Sequence, residues 1–294
     1  MTRRTAIHSA ETLAAFRAMV ANDSDLVVRC EDPLAKHFLS LKYRLMTSIR
    51  PQPLLKRAVH IAAPGSYCFT IVRTRHFDEI LLAETRSGIE QVVLLGAGYD
   101  SRAFRFHDKL EGIRVFEIDH PGTQARKKRI LEKVRKESPS NLTYISVDFN
   151  HQSFQAALSE HGFSRERKTL FMWEGVTYYL PRAVVEDVLD FVSGCSPGSS
   201  IIFDYAIKGF VNGDTSTNGG KQVALWLKMI GEPFLFGLDP TETGEFLASR
   251  KLQLVSDLGP VELEKRYLKT KKGHYLGRTL GHVRMVHAKA TAVH

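Results

Sequence analysis

The chain is poor in cysteine and has no long apolar run. Its 294 residues include three cysteines, which are too widely separated to suggest a disulfide framework or a zinc site. We therefore expect a reducing compartment, the cytoplasm, and no bound metal. Glu11 and Arg17 interrupt the apolar residues near the N-terminus, and no stretch reaches about 18 apolar residues. The sequence thus predicts neither a signal peptide nor a membrane helix.

The composition is that of an ordinary globular protein with a basic surplus. Hydrophobic residues make up 43% of the chain and charged residues 25%, and the length suits one large α/β domain. The net charge of +9 favours anionic partners. The densest basic run, residues 126–136, has helical spacing and lacks the interleaved aromatic residues of a nucleic-acid platform. We expect it to be a solvated helix face, and we expect no nucleic-acid partner.

Short apolar runs alternate with amphipathic helical patterns through the middle of the chain. Continuous apolar strands separated by helices are typical of a parallel sheet that is covered on both faces. The predicted fold class is therefore α/β, with a Rossmann-like, mostly parallel sheet of seven strands. The predicted strands are 91–95, 113–118, 142–147, 168–173, 200–205, 252–257 and 281–289.

Two segments lie outside this alternation. The first 88 residues contain helical patterns at 9–21, 32–42 and 69–85, and we expect them to form a helical cap. After the fifth strand, residues 207–220 are rich in Gly, Asn and Thr and are predicted to be a loop that begins a lid insertion. We expect a single domain with these parts: cap 1–88, cofactor-binding core 89–206, lid 207–250 and C-terminal strands 251–294.

A glycine turn follows the first predicted strand, in the segment LLGAGYDSRAFRF. Gly96 and Gly98 lack a Cβ, so the backbone there can approach a ligand closely. A dinucleotide-binding fingerprint needs a third glycine, and Ser101 stands in its place. The version of the fold that binds S-adenosylmethionine needs two glycines and a nearby acid, which Asp100 supplies. An ordinary strand-to-helix turn is the alternative that these residues leave open.

Each of the first five predicted strands ends at an acidic residue. Ligands of open parallel sheets bind outside the carboxyl ends of the strands. One acid there can cap a helix, but five in register suit a ligand with several donors, such as a ribose diol, an adenine amine and an ammonium group. S-adenosylmethionine carries all three groups. The acids are Asp100, Glu117 with Asp119, Asp148, Glu174 and Asp204.

Four ordered segments resemble the motifs of the leucine carboxyl methyltransferase family: LLGAGYDSRAFRF, VFEIDHPGTQARKKRIL, YISVDF and WEGVTYYLP. The similarity covers roughly residues 15–290. The family includes protein phosphatase carboxyl methyltransferases and bacterial O-methyltransferases of small molecules and polyketides. The resemblance implies a class I methyltransferase fold with a helical N-terminal cap and methyl transfer to oxygen, often of a carboxylate. It also implies S-adenosyl-L-methionine as cofactor and S-adenosyl-L-homocysteine as product.

The resemblance further implies which residues hold the cofactor. Asp148 and Phe149 meet the adenine, and Asp119 holds the ribose hydroxyls. The methionine moiety, with its amino and carboxylate groups, is met by Gly96, Gly98, Glu174 and Arg73.

Arg73 carries a specific role in this assignment. It lies in the predicted cap helix and would bind the carboxylate of the cofactor through a bidentate guanidinium fork. Arg17 is a weaker candidate for the same role. The alternative for Arg73 is an ion pair on the helix face with Asp78 or Glu79.

The methyl acceptor is the part of the site that the sequence defines least. Tyr178 and Tyr179 follow the fourth strand and are candidates to line the acceptor pocket, with core packing as the alternative. A carboxylate is ionised at pH 7 and needs no base, whereas a phenol with a pKa of about 10 would need one. None of His76, His120 and His151 has a catalytic context, so no catalytic residue is identified.

These observations predict an S-adenosylmethionine-dependent O-methyltransferase that acts on a carboxylate or hydroxyl of a small molecule, such as a polyketide or another secondary metabolite. A protein C-terminal carboxyl methyltransferase is the main alternative. An RNA methyltransferase would need a contiguous basic groove and a recognition domain. A nicotinamide-dependent oxidoreductase would need the third glycine and a proton-donor motif. We expect no membrane partner, and a homo-oligomer remains open.

Overall fold

The fold is built around one mixed sheet. The computed structural model describes residues 3–21, 26–27, 31–48, 52–134, 137–147 and 153–291. Within these ranges eight strands join the sheet. They are β1 (Gln91–Leu95), β2 (Arg114–Asp119), β3 (Leu142–Ser146), β4 (Thr169–Trp173), β5 (Ser200–Ile207), β6 (Gly237–Leu238), β7 (Leu252–Leu258) and β8 (Val283–Ala290).

The strand order creates a crevice beside the first strand. The order is β3-β2-β1-β4-β5-β8-β7, and β6 pairs with the end of β5. Strands β1 to β6 pair in parallel, whereas β8 is antiparallel to both β5 and β7. The chain moves outward from β1 to β3 and then returns to place β4 on the other side of β1. Ligands of doubly wound sheets bind at such a reversal, outside the carboxyl ends of the strands.

Helices precede the sheet, connect its strands and cover its faces. None of the helices in the described ranges has both the length and the apolar character needed to cross a bilayer. The described helices are α1 (Arg3–Ala21), α2 (Leu41–Thr47), α3 (Gln52–Ala62), α4 (Ser66–Arg86), α5 (Arg102–Arg105), α6 (Pro121–Lys133), α7 (Phe154–Glu160), α8 (Arg182–Ser193), α9 (Lys208–Val211), α10 (Gly220–Ile230), α11 (Thr243–Ala248) and α12 (Pro260–Tyr267).

Neighbouring side chains of a strand pack on opposite faces of the sheet. In β1, Val92 and Leu94 belong to one buried cluster, and Val93 belongs to another. The first cluster includes side chains of α4, and the second includes side chains of α8. Because both faces are covered, every residue of β1 is buried, which explains why the strand is almost continuously apolar.

The predicted strands agree with the structure to within two residues at each end. The predicted helix at 32–42 is wrong. A 3₁₀ turn occupies Ala35–Phe38, Leu39 is extended, and α2 follows. The turn begins where the carboxylate of Asp32 accepts a hydrogen bond from the backbone N–H of Ala35 at 3.1 Å, a local cap that competes with a longer helix.

The insertion after β5 is more regular than the sequence predicted. Residues 207–220 contain the single turn α9, and the chain then returns as β6, which pairs with the last two residues of β5. Elements this short carry no hydrophobic period that a sequence pattern can reveal. The helices α3 and α12 were also absent from the prediction, although Pro260 and Glu262 stand at the positions that start α12.

Candidate active site

The turn after β1 contains two glycines, so backbone without side chains faces the crevice between β1 and β4. Gly96 and Gly98 have φ values of 67° and 51°, which residues with a Cβ rarely adopt. A Cβ on Gly96 would also lie 2.8 Å from Cγ2 of Val176, in the turn after β4. The backbone N–H of Ala97 donates to the carbonyl of Ile118 at 3.0 Å, which ties the turn to β2. The conformation of the turn therefore requires both glycines.

Asp119 ends β2 and fastens the glycine turn from the other side. Its Oδ2 accepts a hydrogen bond from the backbone N–H of Gly98, and its Oδ1 accepts one from the N–H of His120 at 2.6 Å. Burial raises the pKa of Asp119, and the two N–H donors act in the opposite direction because they favour the charged form. Each carboxylate oxygen has two lone pairs, so capacity remains for the two hydroxyl donors of a ribose.

Arg73 projects from α4 and is buried beside the carboxyl end of β4. Its Nε is 3.0 Å from Oε1 of Glu174, and its Nη1 is 3.2 Å from Oδ2 of Asp204. Nη1 also donates to the hydroxyl of Tyr178 at 3.4 Å, and the guanidinium lies over the ring of Phe69, 4.8 Å from its centroid. Burial alone would lower the pKa of this guanidinium, but the acidic groups around it raise the pKa, so Arg73 stays charged.

The helix-face ion pair considered for Arg73 does not occur. Asp78 pairs instead with Arg102, whose Nε is 2.7 Å from its Oδ1. Glu79 faces α12, where the hydroxyl of Tyr267 donates to it at 2.6 Å. The side chain of Arg73 points to the strand ends, where the sequence placed the cofactor.

Asp204 lies inside β5 and not at its end, which corrects the prediction. The strand continues to Ile207, and the carboxylate of Asp204 is fully buried. Its Oδ1 accepts the backbone N–H of Gly175 at 2.7 Å, while Oδ2 faces Arg73. A Cβ on Gly175 would lie 2.9 Å from Nη1 of Arg73, so the turn after β4 is packed tightly against the guanidinium. Asp204 therefore positions Arg73 and this turn and does not face a ligand.

Arg102 connects the glycine turn to the same group of charges, and the sequence analysis did not single it out. Its Nη1 is 2.8 Å from Oε2 of Glu174 and also pairs with Asp100. Burial alone would raise the pKa of Asp100, but Arg102, Lys127 and Arg105 together outweigh burial, and the pKa is lowered to about 2. The two acids predicted at separate strand ends thus share one cation. The signal available in the sequence was the place of Arg102 in the glycine-turn motif.

Arg17 contacts the glycine turn and not Arg73. It lies on α1, where its Nη2 donates to the carbonyl of Tyr99 at 2.7 Å and its Nε is 3.0 Å from Oδ2 of Asp32. These bonds join the helical cap to the glycine turn. Arg17, the weaker of the two candidates for the cofactor carboxylate, therefore has a structural role.

Tyr178 and Tyr179 lie in a 3₁₀ turn after β4 and pack against the insertion. The ring centroid of Phe234 is 4.3 Å from that of Tyr178 and 5.2 Å from that of Tyr179, and Phe210 lies 5.7 Å from Phe234. The backbone N–H of Leu235 donates to the carbonyl of Tyr178 at 2.7 Å. Burial raises the pKa of both tyrosines, so their hydroxyls stay protonated. We call Tyr178, Tyr179, Phe210 and Phe234 the aromatic cluster.

Glu117 is buried within β2 and is not free to contact a ligand, which corrects a second prediction. Its Oε2 is 2.6 Å from Nζ of Lys127, and both side chains are almost fully buried. Burial raises the pKa of Glu117 to about 7, although Lys127 opposes the shift. Lys127 belongs to the basic run 126–136, so this run is not wholly the solvated face that its spacing predicted.

The described residues fit S-adenosylmethionine in the chemistry of their donors and acceptors. Asp119 offers acceptors for a diol, Arg73 a guanidinium for a carboxylate, and Glu174 an acceptor for an ammonium group. Nε of Arg73 and Oε2 of Glu174 are buried and have ion-pair neighbours but no aligned hydrogen bond. These two atoms can therefore still form hydrogen bonds with the amino-acid end of the cofactor. The residues predicted for the adenine, Asp148 and Phe149, lie outside the described residues.

Comparison with known proteins identifies relatives along most of the chain. The model of the leucine carboxyl methyltransferase family matches residues 10–193. YktD of Bacillus subtilis (strain 168), a candidate S-adenosyl-L-methionine-dependent methyltransferase, is 29% identical over 233 residues, which cover 79% of this chain and 71% of that protein. A candidate methyltransferase of the same kind from Mycobacteroides abscessus is 32% identical over 222 residues, which cover 74% of this chain and 66% of that protein.

Two solved structures share the fold over nearly the whole chain. A DUF574 family protein from Streptomyces avermitilis MA-4680 has a TM-score of 0.58 and 11% identity, and the match covers 95% of this chain and 97% of that chain. A candidate methyltransferase from Thermobifida fusca YX has a TM-score of 0.56 and 14% identity, with 95% and 94% covered. At such identities the similarity bears on the fold alone, and it confirms the predicted fold class.

The sheet order and the glycine turn define a class I methyltransferase, a class whose cofactor is S-adenosyl-L-methionine. The chain belongs to the leucine carboxyl methyltransferase family, because the family model matches more than half of its length. The resemblance read from the sequence motifs is thereby confirmed. The matched region spans 71% of the length of YktD but 66% of the Mycobacteroides abscessus relative and 45% of a Streptomyces coelicolor relative that is 39% identical over 139 residues.

Replacement of Asp119 by alanine should weaken the binding of S-adenosylhomocysteine while the fold survives. The loss of hydrogen bonds to a charged group should cost about 1.5–3 kcal/mol, or about 10- to 150-fold in Kd. Isothermal titration calorimetry measures the Kd, and circular dichroism checks the fold. The exposed Asp108→Ala is the matched control and should bind as the wild type does. An unchanged Kd for Asp119→Ala would show that the ribose is held elsewhere.

Replacement of Lys127 by methionine should destabilise the protein by about 3–5 kcal/mol, because Glu117 loses its buried partner. The penalty should shrink as the pH falls, since a proton neutralises the buried carboxyl. Denaturant unfolding measures it. The exposed Lys128→Met, on the same helix, should change the free energy of unfolding by less than about 0.5 kcal/mol. A Lys127→Met variant as stable as this control would mean that the pair contributes nothing.

Proposed function

We propose that the chain is an O-methyltransferase that uses S-adenosylmethionine to methylate a small acidic molecule with an apolar body, such as a polyketide acid or another secondary metabolite. One observation carries the proposal. The hydroxyl of Tyr178, a member of the aromatic cluster, lies 3.4 Å from Nη1 of Arg73. An apolar wall therefore adjoins the side chain assigned to the amino-acid end of the cofactor. The scarcity of cysteine favours the cytoplasm for this reaction.

In this proposal the protein aligns the cofactor with the acceptor and does not need to transfer a proton. Bound S-adenosylmethionine supplies a methyl group activated by the sulfonium. Arg73 and Glu174 would hold the amino-acid end and Asp119 would hold the ribose, and these contacts together would fix the direction from which an acceptor approaches. The sulfide left behind is neutral, so no side chain has to donate a proton to it.

The histidine nearest the aromatic cluster supports a carboxylate acceptor over a phenol. The ring of His282 stacks on Phe210 with centroids 3.9 Å apart, and burial lowers the pKa of His282 to about 4. His76 is hydrogen-bonded to Tyr267, and burial lowers its pKa to about 4 as well. Groups with such pKa values are weak bases, whereas a carboxylate acceptor needs none. His151 lies outside the described residues.

The insertion after β5 supports a small acceptor over a protein tail. Its segment at Phe234 and Leu235 lies on the turn after β4, and β6 pairs with the end of β5, so the aromatic cluster is covered from the insertion side. A covered apolar wall excludes water from an oxygen nucleophile. A protein C-terminus would need an open groove. We therefore assign residues 207–250 as a lid over the acceptor.

The products distinguish the candidate functions directly. The protein is incubated with methyl-labelled S-adenosylmethionine and either aromatic and polyketide-like acids or a peptide with a free C-terminal leucine. A methyl ester releases labelled methanol in mild base, whereas an ether does not. The proposal expects base-labile label on a small acid. Base-stable label would contradict the carboxylate, and transfer to the peptide alone would establish the protein carboxyl methyltransferase.

Replacement of Phe234 by alanine should lower kcat/KM for any acceptor found by about 10- to 150-fold, the equivalent of about 1.5–3 kcal/mol of apolar burial. The Kd of S-adenosylhomocysteine should stay unchanged, because Phe234 packs on the tyrosines and not on Arg73. Steady-state kinetics and calorimetry measure the two quantities. The exposed Val255→Ala, on β7, is the matched control. Full turnover by Phe234→Ala would remove the aromatic cluster from the acceptor site.

A further inference from the structure

A cavity lies between the helical cap and α6, apart from the strand ends where the cofactor site is assigned. Its volume is about 540 Å³, which lies within the range of small-molecule sites. Five basic side chains line it, and no carboxylate among the described residues does. It shares no lining residue with the glycine turn, with Asp119 or with Arg73. We call this cavity the basic groove, and its basic lining residues are His37, Arg44, Arg126, Arg129 and Lys133.

The cations of the basic groove are weakly neutralised. The guanidinium of Arg126 is 3.7 Å from Oε2 of Glu11. Within the described part of the chain, no ion pair involves Arg44, Arg129 or Lys133. Burial, and then Lys36 and Arg44, lower the pKa of His37, so the positive charge of the groove comes from its arginines and its lysine. A bound anion would relieve the repulsion among these side chains.

Apolar side chains line the groove beside its basic residues. Phe38 and Leu39 are buried beneath it. Ile130 and Val134 complete the apolar lining, and both are partly exposed. A fully hydrated inorganic anion would gain nothing from this surface. A molecule with an acidic head and an apolar body would match both parts.

We propose that the basic groove binds one molecule of an amphipathic organic acid, with its anionic head on Arg129 and Lys133 and its apolar body on the floor at Phe38 and Leu39. The concave shape and the volume suit a single molecule better than a flat bilayer surface. This site is separate from the cofactor crevice, so it goes beyond the proposed methyl transfer and does not depend on it.

Dodecanoate, below its micellar concentration, is the probe. It should displace 8-anilinonaphthalene-1-sulfonate, whose fluorescence reports binding, while saturating S-adenosylhomocysteine occupies the cofactor crevice. The double variant Arg129→Gln, Lys133→Gln should weaken dodecanoate binding by about tenfold or more, because two charge-assisted contacts are lost. The matched control is Lys128→Gln, Lys265→Gln, which makes the same change in net charge at exposed residues outside the groove and should bind as the wild type does.

Several results would overturn the proposal. Equal affinity of the two double variants would show that net charge, and not the groove, attracts the probe. Competition by inorganic phosphate as strong as that by dodecanoate would show that the apolar floor has no role. Displacement of the fluorophore by a single-stranded oligonucleotide but not by dodecanoate would replace the small acid with a nucleic-acid partner. Failure of dodecanoate to bind at all would end the proposal.

Discussion

The arrangement of the strand ends depends on the ion pairs of the buried Arg73. A buried guanidinium is stable only when carboxylates neutralise its charge. The cation comes from α4, and its partners Glu174 and Asp204 come from the turn after β4 and from β5. Three elements that are distant in the sequence are thereby fixed to one another. The same contact packs the backbone of Gly175 against the guanidinium, which shapes the turn that leads to the aromatic cluster.

The charges around this contact have the arrangement that a zwitterionic ligand requires. Glu174 pairs with both Arg73 and Arg102, and each arginine also pairs with a more deeply held acid, Asp204 or Asp78. Glu174 is therefore the shared and partly exposed member of the group, while the other acids keep the arginines in place. A ligand with an ammonium and a carboxylate can join such an array without leaving a buried charge unpaired. The apolar wall beside it then suits an acceptor whose acidic group is carried on an apolar body.

The sequence predicted the structure best where the position of a residue depends on its neighbours in the chain. The strands of the parallel sheet are nearly continuous apolar runs because both faces are covered, and the positions of Gly96 and Gly98 follow from the turn that ends the first strand. The same pattern placed Asp119 and Glu174 at strand ends. The family resemblance then added their roles and the position of Arg73, and all of these ligand contacts stay predictions.

The rest of the site could not be predicted from the sequence, because its side chains pair with residues that are far away in the chain. An acid at the end of an apolar run can be the last residue of a strand or an interior one. Asp204 is interior because β5 continues to pair with β8 and then with β6 beyond it. Lys127 lies in a basic run at helical spacing, and only the fold reveals that it turns inward to Glu117. The same holds for Arg102, whose acidic partners come from three separate elements.

The central claim is that the crevice between β1 and β4 is a site for S-adenosylmethionine and not for a dinucleotide. Calorimetric titration of the unmodified protein with S-adenosylhomocysteine and, separately, with NADH tests it most directly. The account predicts saturable binding of S-adenosylhomocysteine with one site per chain and no heat of binding with NADH. Saturable binding of NADH, or the absence of binding by S-adenosylhomocysteine at millimolar concentration, would contradict it.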